Sequence, residues 1–288
     1  MACVADVRLL GAADVRRLAA SVNISPTKKW GQNFVIDPNT VRRIVELGNV
    51  TSSDVVLEVG PGLGSLSLAI LERGARVVSV EIDPELADKL PDTIAEYAPD
   101  SLGQFSVVNA DALRITTLDY APTKLIANLP YNISVPVVLH LLETFSSLDE
   151  VLVMVQAEVA DRLAAKPGNK TYGVPSVKAR WYGSVTKVGA VGRNVFWPAP
   201  NVDSGLVRIT VEHKRLDATE LREQVFAIVD SAFGQRRKAL RTALGTALGT
   251  PQRVEEILHR AGISPMERGE QLTLEEFISI ALAAQEVG

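Results

Sequence analysis

Residues 55–81 constrain this chain's architecture more than any other stretch. Val55 to Val59 is a run of strand length, apolar except for Glu58, and it leads directly into the glycine turn of Glu58-Val-Gly60-Pro-Gly62-Leu-Gly64. Leu63 to Arg73 then reads as a helix and Arg76 to Val80 as a second strand, which is the wiring of a βαβ unit. The pattern continues downstream. A helix from Pro84 to Leu90 leads to further apolar runs at Phe105 to Asn109, Lys124 to Ala127 and Val151 to Val155. These read as buried parallel strands, with helices at Val135 to Glu143 and Ala157 to Ala164 between them. The expectation is an α/β protein with a mostly parallel, doubly wound sheet.

Before this unit, Ala12 to Val22 reads as a short helix and Ser25 to Phe34 as an irregular basic and aromatic segment. Asp37-Pro38 supplies an N-cap and a first-turn proline for a helix ending at Gly48. After it, Ser184 to Val191 and Gly205 to Val211 alternate like an antiparallel terminal pair around the Pro-rich loop Phe196 to Ser204. Beyond His213 the chain reads as helical only, at Ala218 to Ala232, Gln235 to Leu248, Pro251 to Arg260 and Leu274 to Ala284. With 288 residues, one large and one smaller domain are expected: an N-terminal extension over 1–27, the main domain over 28–213 and a helical C-terminal domain over 214–288.

Gly60, Gly62 and Gly64 lack the side chains that would keep a ligand away from the backbone and from the helix that follows. Their G-x-G-x-G spacing departs from the dinucleotide fingerprint, which disfavours a nicotinamide or flavin. Glu81 closes the next strand, where an acid accepts from ribose hydroxyls, and Asp111 follows a third strand, placed to accept from an adenine amino group. Singly, either acid reads equally as a solvated loop residue or a helix cap. Together with the glycines they converge on one adenosine-containing ligand.

Asn128-Leu129-Pro130-Tyr131 follows the Lys124 strand, at the same edge of the sheet. An adenine amino group is a poor nucleophile because its lone pair is delocalised into the ring, so a catalyst must orient it and accept its hydrogens. The Asn128 amide oxygen and the Leu129 carbonyl can do so. Pro130 fixes the turn without adding an N–H, and Tyr131 can stack on a base. In isolation the tetrapeptide is an ordinary β-turn; its placement beside the glycine turn favours a site.

These segments, with Gly31-Gln-Asn-Phe34, Asn128 to Ser134, Phe196-x-Pro-x-Pro-x-Val-x-Ser204 and Phe233-x-x-Arg-Arg-Lys238, resemble the ribosomal RNA adenine dimethyltransferase family over roughly residues 28 to 280. The likeness is greatest to its small-subunit branch. The resemblance implies a Rossmann-like class I methyltransferase fold and S-adenosylmethionine as cofactor. Contacts to the cofactor would come from Asn33, the backbone at Val35, Gly60, Gly62, Glu81, Asp111 and Asn128. It implies dimethylation of N6 of two adjacent adenosines near the 3′ end of 16S ribosomal RNA within the immature 30S particle, by in-line displacement that relies on positioning and needs no metal. The runner-up is a methyltransferase of large-subunit RNA, and an assembly factor that methylates incidentally is a third reading.

The net charge of −4 and pI near 5.6 argue against nucleic acid as bulk values. The charge is segregated, however: residues 51–120 carry twelve acids and four bases, whereas residues 151–215 carry four acids and ten bases. Arg236, Arg237, Lys238 and Arg241 are expected on one helix, with Arg237 and Arg241 sharing a face. They serve either RNA phosphates or nearby carbonyls and acids. Lys28 and Lys29 beside Trp30 either clamp RNA or cover the sheet edge. His140 reads as a core histidine; Phe196 and Trp197 read as lining a base pocket, with core packing an equal reading for Trp197. The lone Cys3, the charged N-terminus and the absence of any long apolar run point to a cytoplasmic protein with no membrane partner and no cysteine-built metal site, and a monomer is expected.

Overall fold

The computed structural model describes residues 6–22, 33–130, 133–213 and 218–287. They form two compact units, one of residues 1–160 with 186–211, the other of residues 161–185 with 212–288. The sequence reading divides the chain after residues 27 and 213; by compactness the chain passes between the two units at 160/161, 185/186 and 211/212.

The first unit is built on a sheet in which β2 (Val55–Val59), β3 (Arg76–Glu81), β4 (Phe105–Asn109), β5 (Lys124–Asn128) and β6 (Glu150–Gln156) pair in parallel. With β7 (Gly183–Val191) and β9 (Ser204–Val211) the order is β4-β3-β2-β5-β6-β9-β7. β9 runs antiparallel to β6. The order therefore reverses between β2 and β5, and the carboxyl ends of strands flanking such a switch point are where ligands bind in open α/β sheets.

The helices α2 (Pro38–Leu47), α3 (Ser65–Leu71), α4 (Pro84–Tyr97) and α5 (Ser134–Thr144) belong to this unit, and α6 (Ala157–Ala164) begins in it. Asp37 caps α2 by accepting from the Thr40 N–H at 3.0 Å, and Pro38 sits in the first turn, where its missing N–H is not needed. Expected to stop at Leu90, α4 continues through Pro91 to Tyr97. The proline removes one backbone bond, but Thr93, Ile94 and Tyr97 are all buried beyond it, and that burial outweighs the loss.

The N-terminal helix α1 (Ala12–Ser21) is part of this unit's core. Leu10, Val15 and Leu18 are buried, a gain of about 1.5–3 kcal/mol each. The Tyr97 hydroxyl donates to Asp14 at 2.6 Å and accepts from Arg17 at 2.9 Å. A two-stranded pair, β1 (Phe34–Val35) with β8 (Phe196–Trp197), was not foreseen, since two residues carry no alternation to read. Phe196 is buried and Trp197 stacks on Phe34 at 6.5 Å between ring centres, so both pack against the core. His140 is half-buried and hydrogen-bonds the Ile115 carbonyl at 2.9 Å rather than sitting in a purely apolar setting.

The second unit is helical: α7 (Val174–Tyr182), α8 (Thr219–Gly234), α9 (Leu240–Ala243), α10 (Gly245–Leu248), α11 (Pro251–Arg260) and α12 (Leu274–Val287). Trp181 meets Phe226 edge-on, and Phe233 contacts both Tyr172 and Phe277. The single helix expected over Gln235 to Leu248 is instead a turn followed by two one-turn helices. The Leu240 N–H donates to the Glu267 carbonyl at 2.7 Å and that of Arg241 to Pro265 at 3.1 Å. A continuous helix would send those two N–H groups to residues 236 and 237. No described helix is long and apolar enough to cross a membrane.

Candidate functional site

A cleft of about 1000 Å³, open solvent included, lies at the carboxyl ends of β2, β3, β4 and β5. Asn33, Val35, Gly60, Gly62, Glu81, Asp111, Asn128, Leu129 and Pro130 all line it. Residues 95 positions apart in the chain thus meet in one place. Tyr131, Lys28 and Lys29 lie outside the described residues.

The glycine turn owes its shape to three positive φ angles: +67° at Gly60, +58° at Gly62 and +93° at Gly64. At Gly62 a Cβ would lie 2.9 Å from two ring carbons of Phe34, so this glycine serves both the left-handed backbone and the close approach of the ring. Its N–H donates to Glu81 Oε2 at 3.2 Å, while Glu81 Oε1 accepts from the Asp83 N–H at 3.0 Å. These two bonds aim the Glu81 carboxylate across the mouth of the turn. Burial pushes its pKa up, and the two N–H donors oppose that rise. Asp111 Oδ1 accepts from the Leu113 N–H at 2.9 Å, which fixes the carboxylate at the end of β4.

Asn128 ends β5, and its Nδ2 donates to the Asn33 carbonyl at 3.2 Å. That bond fixes which way the amide is turned: the nitrogen is used, and Oδ1 is the atom left to accept a hydrogen. The Leu129 N–H is tied to the Met154 carbonyl at 3.1 Å, which holds the loop against β6. The Val35 carbonyl accepts from Ser65 Oγ at 2.8 Å.

Among the lining residues to which sequence reasoning assigned no role, Phe34, Ile82 and Glu58 shape the cleft most directly. Phe34 walls the glycine turn. Ile82, an exposed apolar side chain directly after Glu81, lines the cleft, and an apolar residue immediately after a strand-end acid is the signal that could have found it. Glu58 is fully buried, accepts from Ser67 Oγ at 2.5 Å and Ser79 Oγ at 3.2 Å, and desolvation pushes its pKa up to about 7.

Glu81 and Asp111 bring carboxylates to the cleft, and no described residue that lines it is Lys, Arg or His. Such a wall suits a ligand carrying positive charge and no phosphate. It repels the pyrophosphate of a dinucleotide.

The four C-terminal cations are not gathered on one helix face. Arg236, Arg237 and Lys238 lie in the turn after α8, and Arg241 lies in α9, 3.7 Å from Glu255. Arg236 is engaged internally: its Nε meets Glu270 at 2.7 Å and its Nη2 donates to the Lys170 carbonyl at 2.8 Å.

A family model described as ribosomal RNA adenine dimethylase matches residues 24–286. The ribosomal RNA small subunit methyltransferase A of Streptomyces griseus subsp. griseus is 58% identical over 280 residues, covering 97% of this chain and 96% of that one. The protein of the same name from Bifidobacterium longum is 55% identical over 297 residues, covering 97% and 95%. A dimethyladenosine transferase from Plasmodium falciparum shares the fold, with a TM-score of 0.74 at 22% identity over 88% of this chain and 97% of that one. The 23S rRNA methyltransferase ErmE gives a TM-score of 0.67 at 25% identity, over 88% and 100%.

Proposed function

Because the chain belongs to the ribosomal RNA adenine dimethylase family, we propose that its cleft binds S-adenosylmethionine and that it methylates N6 of two adjacent adenosines near the 3′ end of 16S ribosomal RNA. The observation that carries this is the Asn128 amide, turned by the Asn33 carbonyl so that Oδ1 is its accepting atom, in the same cleft as Glu81 and Asp111. The substrate is small-subunit RNA within the immature 30S particle, the setting is the cytoplasm, and the protein acts as a monomer. The preference for small-subunit over large-subunit RNA rests on relatives 55–58% identical along nearly the whole chain, against 25% for ErmE.

The acidic cleft fits this cofactor, whose sulfonium and ammonium groups are cationic. When bound, the cofactor supplies an electrophilic methyl group. Gly60 and Gly62 let it approach the backbone, Glu81 takes the ribose hydroxyls and Asp111 the adenine amino group. At the target base, Asn128 Oδ1 and the Leu129 carbonyl accept the two amino hydrogens, which orients the nitrogen lone pair toward the cofactor side of the cleft. Pro130 keeps the turn rigid and free of a competing N–H, and Tyr131 serves as the stacking face for the flipped base.

Asn128→Ala removes one acceptor from the amine. Methyl transfer to immature 30S particles is expected to fall at least about 100-fold while particle binding is retained. Wild-type transfer by that variant would overturn the mechanism. Mass spectrometry of the ribosomal RNA after reaction with labelled cofactor reads the substrate, and label confined to large-subunit RNA would overturn the small-subunit assignment.

A further inference from the structure

The second unit holds a composite basic surface that neither charge runs nor spacing bring together. After α6, residues 165–172 fold into consecutive turns: Asn169 N–H bonds Lys166 carbonyl, Tyr172 N–H bonds Asn169 carbonyl, and Asn169 Oδ1 accepts from the Thr171 N–H and hydroxyl. Three ties anchor this loop within its unit. The Gly168 N–H donates to the Glu270 carbonyl at 2.9 Å, and the buried Tyr172 hydroxyl donates to the Leu272 carbonyl at 2.8 Å. The third is Arg236, whose guanidinium spans from the Glu270 carboxylate to the carbonyls of Asn169 and Lys170. Arg236 thereby fastens the loop to its own turn, the turn that carries Arg237 and Lys238.

Lys166, Lys170, Arg237 and Lys238 are all exposed, and none has an ion pair among the described residues. Glu270, the acid bound at this junction, is already neutralised by Arg236. Four uncompensated cations thus stand on two short backbone segments held in fixed relation, whereas Arg241 faces Glu255. Arg236 has the chemistry of a brace: a planar fork with parallel N–H groups directed at a carboxylate and two carbonyls, which a lysine cannot reproduce.

We infer that Lys166 and Lys170, together with Arg237 and Lys238, form one surface for the phosphate backbone of the substrate RNA, and that Arg236 positions this surface without touching the RNA. The inference rests on the reading of the protein as a ribosomal RNA methyltransferase. It assigns the loop at 166–170 a binding role and removes Arg236 from the phosphate contacts.

The test uses the full chain and a transcript of the 3′-terminal region of small-subunit ribosomal RNA, with affinity measured across a salt series. Each lost phosphate contact lowers the slope of log K against log salt by about 0.7–0.9, so Lys166→Ala/Lys170→Ala is expected to reduce it by about 1.4–1.8. Affinity for S-adenosylhomocysteine is expected to stay unchanged. Arg236→Lys, which keeps the charge, is expected to weaken RNA binding and to speed amide hydrogen exchange at 166–171. An unchanged salt slope in the double lysine variant overturns the surface. Wild-type affinity in Arg236→Lys, alongside a slope lowered by one contact in Arg236→Ala, overturns the brace and makes Arg236 a direct contact. Failure of the wild-type chain to bind the transcript at all would instead strike the functional reading beneath both.

Discussion

Glu58→Gln should make this protein more stable at pH 8 while leaving it nearly unchanged at pH 4.5. The Glu58 carboxyl sits wholly out of water, with two serine hydroxyls for company and the Glu81 carboxylate nearby, and its pKa stands at about 7 rather than 4.5. A folded-state pKa above the unfolded one means that the native protein binds the proton more tightly. The contribution is therefore whole below about pH 4.5 and is lost as pH rises through 7. At 1.36 kcal/mol per unit, that interval corresponds to about 3 kcal/mol. Glutamine has the same shape, keeps an oxygen for the serines and cannot ionise, so the variant escapes the loss. Urea unfolding of both proteins at several pH values between 4.5 and 8.5, followed by circular dichroism, gives the difference directly, since every other titrating group is common to the pair. A difference that stays constant with pH to within about 0.5 kcal/mol, the scatter of independent effects, would refute the reasoning.

Three further outcomes follow from the same geometry. Gly62→Ala places a Cβ 2.9 Å from the Phe34 ring on a backbone at φ +58°, a conformation costing about 1–2 kcal/mol for a residue other than glycine. A lowered melting temperature and weaker calorimetric binding of S-adenosylhomocysteine are expected. Glu81→Gln trades a charged acceptor for a half-donor and should raise the dissociation constant of the same ligand roughly 10- to 100-fold in that titration. Tyr97→Phe removes the hydroxyl shared by Asp14 and Arg17 and should cost about 1–2 kcal/mol in chemical unfolding, with ligand affinity unaffected.

The central strands of the sheet were legible because they are buried and appear in the sequence as largely apolar runs, and Val55–Val59 matches to the residue. Phe105–Asn109 matches in extent, but as the edge strand of the sheet it is half-buried to exposed rather than buried as expected. The acids Glu81 and Asp111 were legible because strand ends are fixed once strands are. What escaped was whatever tertiary contacts decide. Gln235 to Leu248 has the composition of a helix, but the Glu267 and Pro265 carbonyls draw off the amides that would continue it. Helix α7 has no apolar stripe strong enough to stand out, since Lys178 and Arg180 interrupt a face that Trp181 and Tyr182 complete. The partnership of Asn33 with Asn128 spans too much chain for any local pattern to carry, and only the family resemblance put Asn33 in the site.

The placement of β9 between β6 and β7 sets a schedule for the protein's own synthesis. On the ribosome β7 is made before β9, yet it reaches the sheet only through β9. Until residues 204–211 emerge, the outer edge of β6, Glu150-Val-Leu-Val-Met-Val-Gln156, has no partner, although six of its seven side chains end up buried. At the usual rate of roughly 5–20 residues per second, that edge is open for several seconds in each nascent chain. An uncapped apolar strand is a template for pairing with another chain. The hazard to yield therefore lies in the timing of the C-terminal half, and truncations ending before residue 211 should collect in the insoluble fraction.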